Sequence, residues 1–580
     1  MNNRRLNYNN IIAIAEEEEP AMESTTVNLT PSSSSETSAT TTTSYCLLAP
    51  YKSVILHSFV AMVLTVYMAL SCFLISSPTA GPTKFSVYLC VVFVLYELYH
   101  WRIYKRTLHR YVIDPLCDIF QENMYRDIFT ALISCINLAF IVYLCTVDWT
   151  RLYSLGSSAG LLVISVILNA RKRIHWSCVV RSLNLHYALA ITCLYCPWGR
   201  SVIIDVGDGI VGYLRFSEIG GRFIYGHMLV DQFIFAFYVM TALYLSLMTI
   251  AILKHFGFFD VIVAVSQKVA FATGIAPIEG VFGIVNMFLS MTEVVVTVRQ
   301  CLDRMTRSQI FSLLVTGMAS VSITALFGYV NLGADVDYLV TASIVCIPLA
   351  FALSKIYEPD AVPNEYSPRS QIRPIRNMAD LEGCVDEEIL GAGDNDDLVA
   401  KASAAPATLW DKCSDSIVQA GYVIQVIIGN LIALMSFMGA IDYIVALIIQ
   451  PFWTSKTSPP PGLIEVVSLG LSYILPVLGI DSNDSTLAAE MMVKRVLINE
   501  FTAYQILGDN LNRLVSHRTV AMMNVMLCGF GNVSAAGMLS SMISTLTEKR
   551  VNASSLVVKA LIVSIIVNIY CACTVAILDN

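Results

Sequence analysis

Residues 417–452 read IVQAGYVIQVIIGNLIALMSFMGAIDYIVALIIQPF and contain a single charged residue, Asp442. A helix that crosses a bilayer needs about 20 predominantly apolar residues, so this stretch is long enough to span a membrane. Similar blocks recur along the chain, in which 56% of 580 residues are hydrophobic and only 14% are charged. A soluble domain carries roughly 25% charged residues. The sequence therefore predicts an all-α polytopic membrane protein.

The apolar blocks predict about eleven transmembrane helices. They lie at residues 54–76, 85–100, 127–147, 157–170, 185–197, 226–252, 309–331, 338–355, 417–452, 519–547 and 555–577. Two further apolar stretches, about 268–300 and 462–506, contain acidic residues and are interrupted by Gly, Pro or Asn. Irregular backbone is tolerated in a bilayer only where it lines a protein cavity. We interpret these stretches as two re-entrant helical hairpins, hairpin 1 and hairpin 2.

Soluble segments divide the chain into five regions. Residues 1–50 are rich in Ser and Thr and predict a disordered tail, and residues 51–174 contain the N-terminal transmembrane helices. Residues 175–356 form a first half with hairpin 1, and residues 413–580 form a second half with hairpin 2. Residues 357–412 form an acidic loop between them. We find no basic stripe with interleaved aromatic residues, so nucleic-acid binding is not predicted.

Basic residues in the loops predict the orientation of the chain. They follow the second, fourth and sixth spans and precede the last one, at Arg102, Lys105, Arg106, Arg110, Arg171, Lys172, Arg173, Lys254, Lys549 and Arg550. Lysine and arginine accumulate in cytoplasmic loops. We therefore expect a plasma-membrane protein with a cytoplasmic N-terminus, a cytoplasmic acidic loop and an extracellular C-terminus.

The two halves contain similar motifs at similar spacings. The run 286–293 of hairpin 1 precedes a span with small polar residues, and the run 499–504 of hairpin 2 precedes a similar span. Glu293 lies 31 residues before Thr324, and Glu500 lies 32 residues before Asn532. Because the acidic loop reverses the side of entry, this pattern predicts an inverted repeat. Carriers built in this way bind their substrate near the middle of the membrane, where broken helices meet.

Glu293 and Glu500 are the clearest candidate functional residues, because an ionised carboxylate within a bilayer is costly unless it is paired or solvated. The alternatives are an ion pair with lysine or arginine, or a hairpin tip that reaches water. Asn286 precedes Glu293 by seven residues, so on a continuous helix both would share a face. Asn532, which follows Gly529 and Gly531, could bind a cation or a ligand, or could join helices.

Other classes of protein fit the sequence less well. Sixteen cysteines lie mostly singly inside apolar blocks, where a free thiol packs as a small hydrophobe. Eight histidines are scattered and form no HExxH motif, so no metal site and no enzyme are predicted. A seven-helix receptor does not fit eleven spans with two acidic hairpins, and a channel would need a pore-lining repeat. Both stay open as alternatives from another class.

Three motifs stand out in the second part of the chain: the run 274–279 followed by 286–293, the run Asn-Glu-Phe-Thr-Ala-Tyr at 499–504 and the run Cys-Gly-Phe-Gly-Asn at 528–532. They resemble signatures of the concentrative nucleoside transporter family, and the resemblance extends from about residue 175 to the C-terminus. The second resembles the NEFVAY motif of the family, and the third resembles its CGFAN motif. The resemblance implies a homotrimer in the lipid bilayer that imports nucleosides such as adenosine, guanosine, inosine and uridine. Sodium would drive an elevator-like motion, with the proton as an alternative coupling ion.

The same resemblance implies roles for individual residues. Met291, Thr292 and Glu293 would face the nucleobase, while Glu500 and Asn532 would hold the ribose hydroxyls. Phe530 and Ser534 would complete the substrate site. Sodium would bind near Asn286, Thr324 and the backbone carbonyls of Leu289 and Ala325.

The chain departs from the family pattern at several positions. Val295 replaces a usual proline, and Ala535 replaces a serine. Met291 and Thr324 resemble purine-preferring members, whereas Ser290 matches pyrimidine-preferring ones. We expect purine-leaning or mixed selectivity. The alternative is a diverged member with another substrate or without transport activity.

Overall fold

The computed structural model of the chain describes residues 123–169, 172–226, 235–297, 302, 305–360, 408–453, 459–546 and 553–579. Every regular element in these ranges is helical. The predicted tail, the first two predicted spans and most of the predicted acidic loop lie outside the described residues.

We number twenty α-helices in chain order over the described ranges. They are α1 (Asn123–Val147), α2 (Arg151–Leu168), α3 (Trp176–Ala190), α4 (Pro197–Leu214), α5 (Ser217–Tyr225), α6 (Phe235–His255), α7 (Phe258–Thr273), α8 (Pro277–Val285), α9 (Met291–Thr297), α10 (Arg307–Ala319), α11 (Ile323–Asn331), α12 (Val336–Tyr357), α13 (Leu409–Ile449), α14 (Leu463–Ser472), α15 (Leu475–Leu478), α16 (Ser485–Leu497), α17 (Glu500–Asp509), α18 (His517–Met526), α19 (Val533–Leu546) and α20 (Ala553–Leu578). A π-helical turn, Ile191–Tyr195, extends α3.

Six of the described helices are long and apolar enough to cross a membrane. They are α1, α2, α3 with its π turn, α12, α13 and α20. Each overlaps a predicted span. A seventh candidate is the pair α6 and α7, which bends by 80° between Met240–His255 and Phe258–Thr273. These helices confirm an all-α polytopic membrane protein.

Two predicted spans are not continuous helices. The span at 309–331 is broken between α10 and α11 by residues 320–322, and the span at 519–547 is broken between α18 and α19 by residues 527–532. Ser320 has an extended backbone, and the hydroxyl of Ser322 accepts the backbone N–H of Ala325 at 3.4 Å. Such caps start a new helix inside an apolar run. Residues 197–225, for which no span was predicted, form α4 and α5.

The two halves are organised around a pair of central helices. In α12, 94% of the most apolar 18-residue stretch is buried, and in α20 the buried share of such a stretch is 72%. The broken helix formed by α10 and α11 packs on α12, and α10 and α18 both pack on α20, which also contacts α12. By contrast, only 6% of the apolar window of α13 is buried, and its main partner is α6. The paired broken helices therefore lie against two buried central helices, α12 and α20, while α13 presents an apolar surface.

Ion pairs anchor the end of α12. Glu358 accepts hydrogen bonds from the Nζ atoms of Lys559 at 2.7 Å and Lys172 at 2.9 Å, and from the Nε of Arg307 at 3.0 Å. Burial raises the pKa of Glu358, but the hydrogen bonds from Lys559 and Lys172 outweigh it and lower that pKa to about 2. One carboxylate thus ties α12 to α20, to α10 and to the segment between α2 and α3.

A second ion pair anchors hairpin 1 to the same end of α12. The Nζ of Lys355 is buried and donates to Glu279 Oε1 of α8 at 2.6 Å and to Asp360 at 3.0 Å. The carboxylate of Glu279 also accepts the backbone N–H of Ala276 and so caps α8. Glu279 therefore has a structural role.

Candidate functional site

The helix of hairpin 1 is interrupted between α8 and α9. Residues 286–288 form a turn and 289–290 are irregular, and the backbone N–H of Asn286 ends α8 by donating to the Phe282 carbonyl. The prediction that Asn286 and Glu293 share a face of one continuous helix is therefore wrong. The chain leaves the helix at Asn286 and starts a new one at Met291.

The carboxylate of Glu293 is buried at the start of α9. Its Oε2 accepts the backbone N–H of Ser290 at 3.1 Å, and the hydroxyls of Ser290 and Thr292 lie 3.0 Å apart. Glu293 forms no ion pair with a lysine or arginine within the described part of the chain. The structural ion pair that the sequence left open is thus not formed in direct contact there, although Ser290 and, at longer range, Lys254 interact with the carboxylate.

Met291 positions hairpin 1 against α10. A Cβ atom on Gly317 would lie 2.6 Å from Met291 Cγ, so the methionine occupies the space that the glycine leaves. Met291 is buried, Thr292 is half-buried, and Val295 is fully buried two residues after Glu293. The three predicted base-contacting residues are therefore adjacent on the first turn of α9.

Asn286 lies where hairpin 1 meets the break between α10 and α11. Its Nδ2 donates to Thr316 Oγ1 of α10 at 3.3 Å, and the neighbouring Met287 carbonyl accepts the backbone N–H of Ile323 at 3.2 Å. The Oδ1 of Asn286 is buried and has no hydrogen-bond partner among the described residues. A buried, unused oxygen beside helix-end carbonyls fits a hard cation, which prefers oxygen ligands.

The other predicted sodium ligands lie around the same break. Leu289 is buried in the turn of hairpin 1, and Thr324 and Ala325 lie in the first turn of α11. The unwound residues themselves are 320–322, so Ser320 is a candidate that our prediction did not include. The described residues contain no group of three or more His, Cys, Asp or Glu that could hold a metal ion.

Hairpin 2 carries the second buried carboxylate. The side chain of Asn499 caps α17 by accepting the backbone N–H of Thr502 at 2.8 Å. Glu500 then starts α17, and its Oε2 accepts Asn532 Nδ2 at 2.6 Å. Asn532 Oδ1 in turn accepts the backbone N–H of Ala535 at 2.7 Å, which caps α19. Like Glu293, Glu500 lies in no ion pair with lysine or arginine in the described ranges.

The two breaks lie against each other. Gly529, with φ of +93°, occupies the break between α18 and α19. A Cβ atom there would lie 2.7 Å from the Met318 carbonyl oxygen and 2.8 Å from that of Ala319, which are at the end of α10. In addition, α9 packs against both α10 and α19. Both hairpins therefore meet the same crossing of broken helices.

An aromatic cluster, which we did not predict, lines the Glu500 side. Tyr329 of α11 stacks on Tyr504 of α17 with ring centroids 4.6 Å apart and contacts Phe501 at 4.9 Å. The Tyr504 hydroxyl donates to the Asn524 carbonyl at 2.7 Å. The Tyr329 hydroxyl is buried and interacts electrostatically with Glu500 without a hydrogen bond of standard geometry. Only Phe501 and Tyr504 were visible in the sequence, as part of the hairpin 2 motif.

The remaining predicted site residues lie in or directly after the second break. Phe530 is half-buried within the break, and Ser534 is half-buried in the first turn of α19. Ala535 is buried and contributes its backbone N–H, but no hydroxyl, to Asn532. Arg495, a fully buried residue of α16 that we did not predict, was detectable as a lone arginine in an apolar hairpin.

Two family models match the chain. One, described as Na+ dependent nucleoside transporter C-terminus, matches residues 338–576, and the other, described as Na+ dependent nucleoside transporter N-terminus, matches residues 155–228. Together they match more than half of the chain.

Curated relatives are similar over most of the chain. Sodium/nucleoside cotransporter 1 of Mus musculus is 27% identical over 466 residues, which are 76% of this chain and 66% of the relative. Solute carrier family 28 member 3 of Eptatretus stoutii is 23% identical over 556 residues, 91% of this chain and 75% of the relative. Nucleoside permease NupC of Helicobacter pylori is 25% identical over 425 residues, 69% of this chain and 91% of the relative. The chain spans about two thirds of the length of the mammalian relatives it matches.

A solved structure shares the fold. "Structure of CNTnw in an inward-facing substrate-bound state" has a TM-score of 0.63 and 23% sequence identity, and covers 74% of this chain and 98% of that one. A doubly substituted variant of that protein in an outward-facing state has a TM-score of 0.63 and 22% identity. These similarities support the helical arrangement described above.

Proposed function

Because the chain belongs to the Na+-dependent nucleoside transporter family, we propose that it is a sodium-coupled secondary transporter that imports nucleosides. One observation carries this proposal. Two buried carboxylates, Glu293 and Glu500, lie without ion pairs in the described structure where two hairpins meet a crossing of broken helices. An unpaired buried carboxylate needs a hydrogen-bonding ligand to offset the free energy of its burial.

The Glu500–Asn532 pair would bind the ribose. A carboxylate can accept hydrogen bonds from two vicinal hydroxyls, and the Asn532 amide holds that carboxylate in place at 2.6 Å. Thr292, Glu293 and Met291 at the start of α9 would face the base, with Phe530 and Ser534 at the edge of the site. A buried acceptor that is left unpaired strongly disfavours analogues without the hydroxyl. Adenosine, guanosine, inosine and uridine are the substrates we propose, with a purine-leaning or mixed preference.

Sodium would bind where hairpin 1 meets the break between α10 and α11. The unused Oδ1 of Asn286 would be one ligand, together with oxygens of Leu289, Ser320 and the start of α11 at Thr324 and Ala325. Sodium binding there would join hairpin 1 to α10 and α11, and so couple the ion to the substrate site. The proton is the alternative coupling ion.

The elevator-type motion, the trimer and the plasma-membrane location belong to the same proposal. The helices of both halves pack around α12 and α20 as one block, whereas α13 packs mainly on α6 and exposes its apolar face. This division suits a moving block that carries the site past a static pair of helices. The exposed face of α13 would contact lipid or the neighbouring subunits of a homotrimer.

Uptake of labelled adenosine and uridine into cells that express the full chain tests this function. We expect sodium-dependent accumulation above the outside concentration, and loss of accumulation when choline replaces sodium. Cells without the chain are the control, and surface labelling confirms that the protein reaches the plasma membrane. Absence of uptake of both nucleosides by surface-expressed protein would contradict the proposal. It would favour the diverged alternative, to which Val295 and Ala535 point.

A further inference from the structure

Both breaks concentrate partial negative charge inside the protein. At each one a helix ends inside the membrane region, so carbonyl groups lose their helical partners and the negative end of the helix dipole is exposed. At the first break, Asn286 adds another oxygen, and no lysine or arginine of the described structure hydrogen-bonds to residues 320–322. The first break therefore contains oxygen acceptors that could bind a cation.

The second break is different, because a cationic side chain already lies in it. Arg495 of α16 is completely buried, and its NH2 group donates to the Cys528 carbonyl at 2.8 Å. The Asn568 amide of α20 donates to the same carbonyl. A Cβ atom on Gly531 would lie 3.4 Å from Arg495 NH2, so the guanidinium is packed directly against the unwound backbone.

The buried guanidinium is not neutralised by a direct ion pair. Its Nε and NH1 groups have no hydrogen-bond partner among the residues that the structure describes. Its electrostatic neighbours are Tyr504, Cys528, Glu500 and Tyr329, of which only Glu500 is a carboxylate. An arginine stays charged in proteins, and a buried charge is tolerated only where an opposite charge compensates it. Arg495 and Glu500 therefore compensate each other across the second break.

We propose that the guanidinium of Arg495 is a permanent cation at the second break. It supplies the positive charge there that a bound sodium ion supplies at the first break. This inference rests on the proposed transport function. A second sodium ion near Arg495 would be repelled by the like charge. A single cation would therefore be transported with each nucleoside. Arg495 acts as a positioning residue, because its charge keeps the Glu500 carboxylate ionised and able to accept hydrogen bonds from the ribose.

The number of charges that cross the membrane with each nucleoside tests this proposal. The full chain is expressed in voltage-clamped oocytes, and inward current and labelled nucleoside flux are measured in the same cells. The variants are Arg495→Gln, which removes the charge, and Arg495→Lys, which keeps it. The matched control is Arg513→Gln, since Arg513 is exposed and bonds only to Asn510 nearby.

For the wild type, Arg495→Lys and Arg513→Gln, we expect a single charge per nucleoside. For Arg495→Gln we expect a two-fold rise, because a second sodium ion or a proton must then neutralise Glu500. An unchanged ratio in an active Arg495→Gln variant would overturn the inference. If that variant is inactive or does not fold, the wild-type ratio decides, since two charges per nucleoside in the wild type would overturn the inference by itself. A wild type without sodium-dependent uptake would instead contradict the proposed function.

Discussion

At the scale of single residues, three buried glutamates of the hairpins differ in their partners. Glu279 forms an ion pair with Lys355 at 2.6 Å, whereas Glu293 accepts the backbone N–H of Ser290 and Glu500 accepts the Asn532 amide, with no direct ion pair to lysine or arginine in the described structure. A paired carboxylate stabilises packing. A buried carboxylate that has a cation nearby but no direct ion pair is only partly compensated, and a ligand that donates hydrogen bonds can offset the rest of its burial free energy. The pairing pattern therefore distinguishes Glu279 from the two glutamates that we propose bind the substrate.

Glu500→Gln should weaken recognition of the ribose. A hydrogen bond to a charged group contributes about 1.5–3 kcal/mol, so we expect an affinity loss of about 10- to 100-fold. Inhibition of labelled uptake by ribonucleosides and by their 2′- and 3′-deoxy analogues measures this, and the variant should discriminate less between them. The control is Glu490→Gln, on the preceding helix, where the carboxylate is 42% exposed and pairs with Lys494. Equal discrimination by both variants would contradict the assignment.

Asn286→Ala should act on sodium rather than on the nucleoside. Removal of one oxygen ligand should raise the sodium concentration for half-maximal uptake by about 10-fold, while nucleoside affinity at saturating sodium changes little. Uptake measured over a range of sodium concentrations tests this. Asn510→Ala, at a residue that bonds only within its own turn, should leave the sodium dependence unchanged. A primary loss of nucleoside affinity in Asn286→Ala would move Asn286 from the ion site to the substrate site.

The candidate residues were only partly predictable from the sequence. Glu293 and Glu500 are visible because a charge interrupts an apolar run. The side chains that surround these glutamates cannot be predicted from the sequence, because Tyr329, which interacts with Glu500, lies on a helix more than 150 residues away in the chain. Arg495 likewise becomes informative only through its hydrogen bond to the Cys528 carbonyl in the second break, 33 residues further along the chain.

At the scale of helices, the apolar spans were predictable but their interruptions were less so. The composition of 309–331 continues through the break at 320–322, so hydropathy alone predicts one span. The break depends on Ser322, which caps α11, and the second break depends on Gly529 and on Asn532, which caps α19. Short capping side chains and a positive φ are local signals that a long apolar pattern conceals.

Gly529→Ala should disrupt the crossing of the two breaks. The positive φ alone costs about 1–3 kcal/mol for a residue other than glycine, and the new Cβ would overlap two carbonyl oxygens of α10. We expect a lower thermal midpoint of the purified protein and loss of uptake. Gly537→Ala is the matched control in α19, since its Cβ would meet nothing within 4 Å and the change favours the helix. Similar behaviour of the two variants would argue against the crossing.

Glu358 should give the end of α12 a pH-dependent stability. Its pKa is about 2 in the folded protein, against 4.5 for an unperturbed glutamate. A depressed pKa contributes stability that is complete above pH 4.5 and is lost as the pH falls through about 2. The thermal midpoint of Glu358→Gln should therefore lie below that of the wild type at neutral pH, and the difference should shrink in acid.

Thermal scans from neutral pH to about pH 3 measure this difference. Glu465→Gln, at an exposed position, is the control and should match the wild type at neutral pH. A gap between Glu358→Gln and the wild type that stays constant into acid would mean that the contacts of the side chain, rather than its charge, stabilise α12.

At the scale of the whole molecule, the repeat predicted from two motif spacings has a physical counterpart. Each half supplies a hairpin, a broken helix and a central helix, in the orders α8–α9, α10–α11, α12 and α16–α17, α18–α19, α20. The sequence indicates this order because each motif recurs at nearly the same distance. It does not indicate that α12 and α20 contact each other, because both read as uniformly apolar.

The orientation of the chain in the membrane depends on whether the number of membrane crossings is odd or even. Eleven crossings and two hairpins that return to their own side would place the termini on opposite sides of the membrane. An epitope at the C-terminus should then bind antibody on intact cells. Epitopes at the N-terminus or within 361–407 should bind only after permeabilisation, because the basic loops favour the cytoplasm.

Each alternative result has a distinct meaning. If both termini were cytoplasmic and residues 361–407 were also cytoplasmic, the second half would cross an even number of times, and hairpin 2 or one of its helices would be misassigned. If the N-terminus alone were outside, the error would lie before α12, where the predicted spans 54–76 and 85–100 fall outside the described residues. The three epitopes therefore test the two halves separately, and an inverted repeat requires that residues 361–407 and the C-terminus lie on opposite sides.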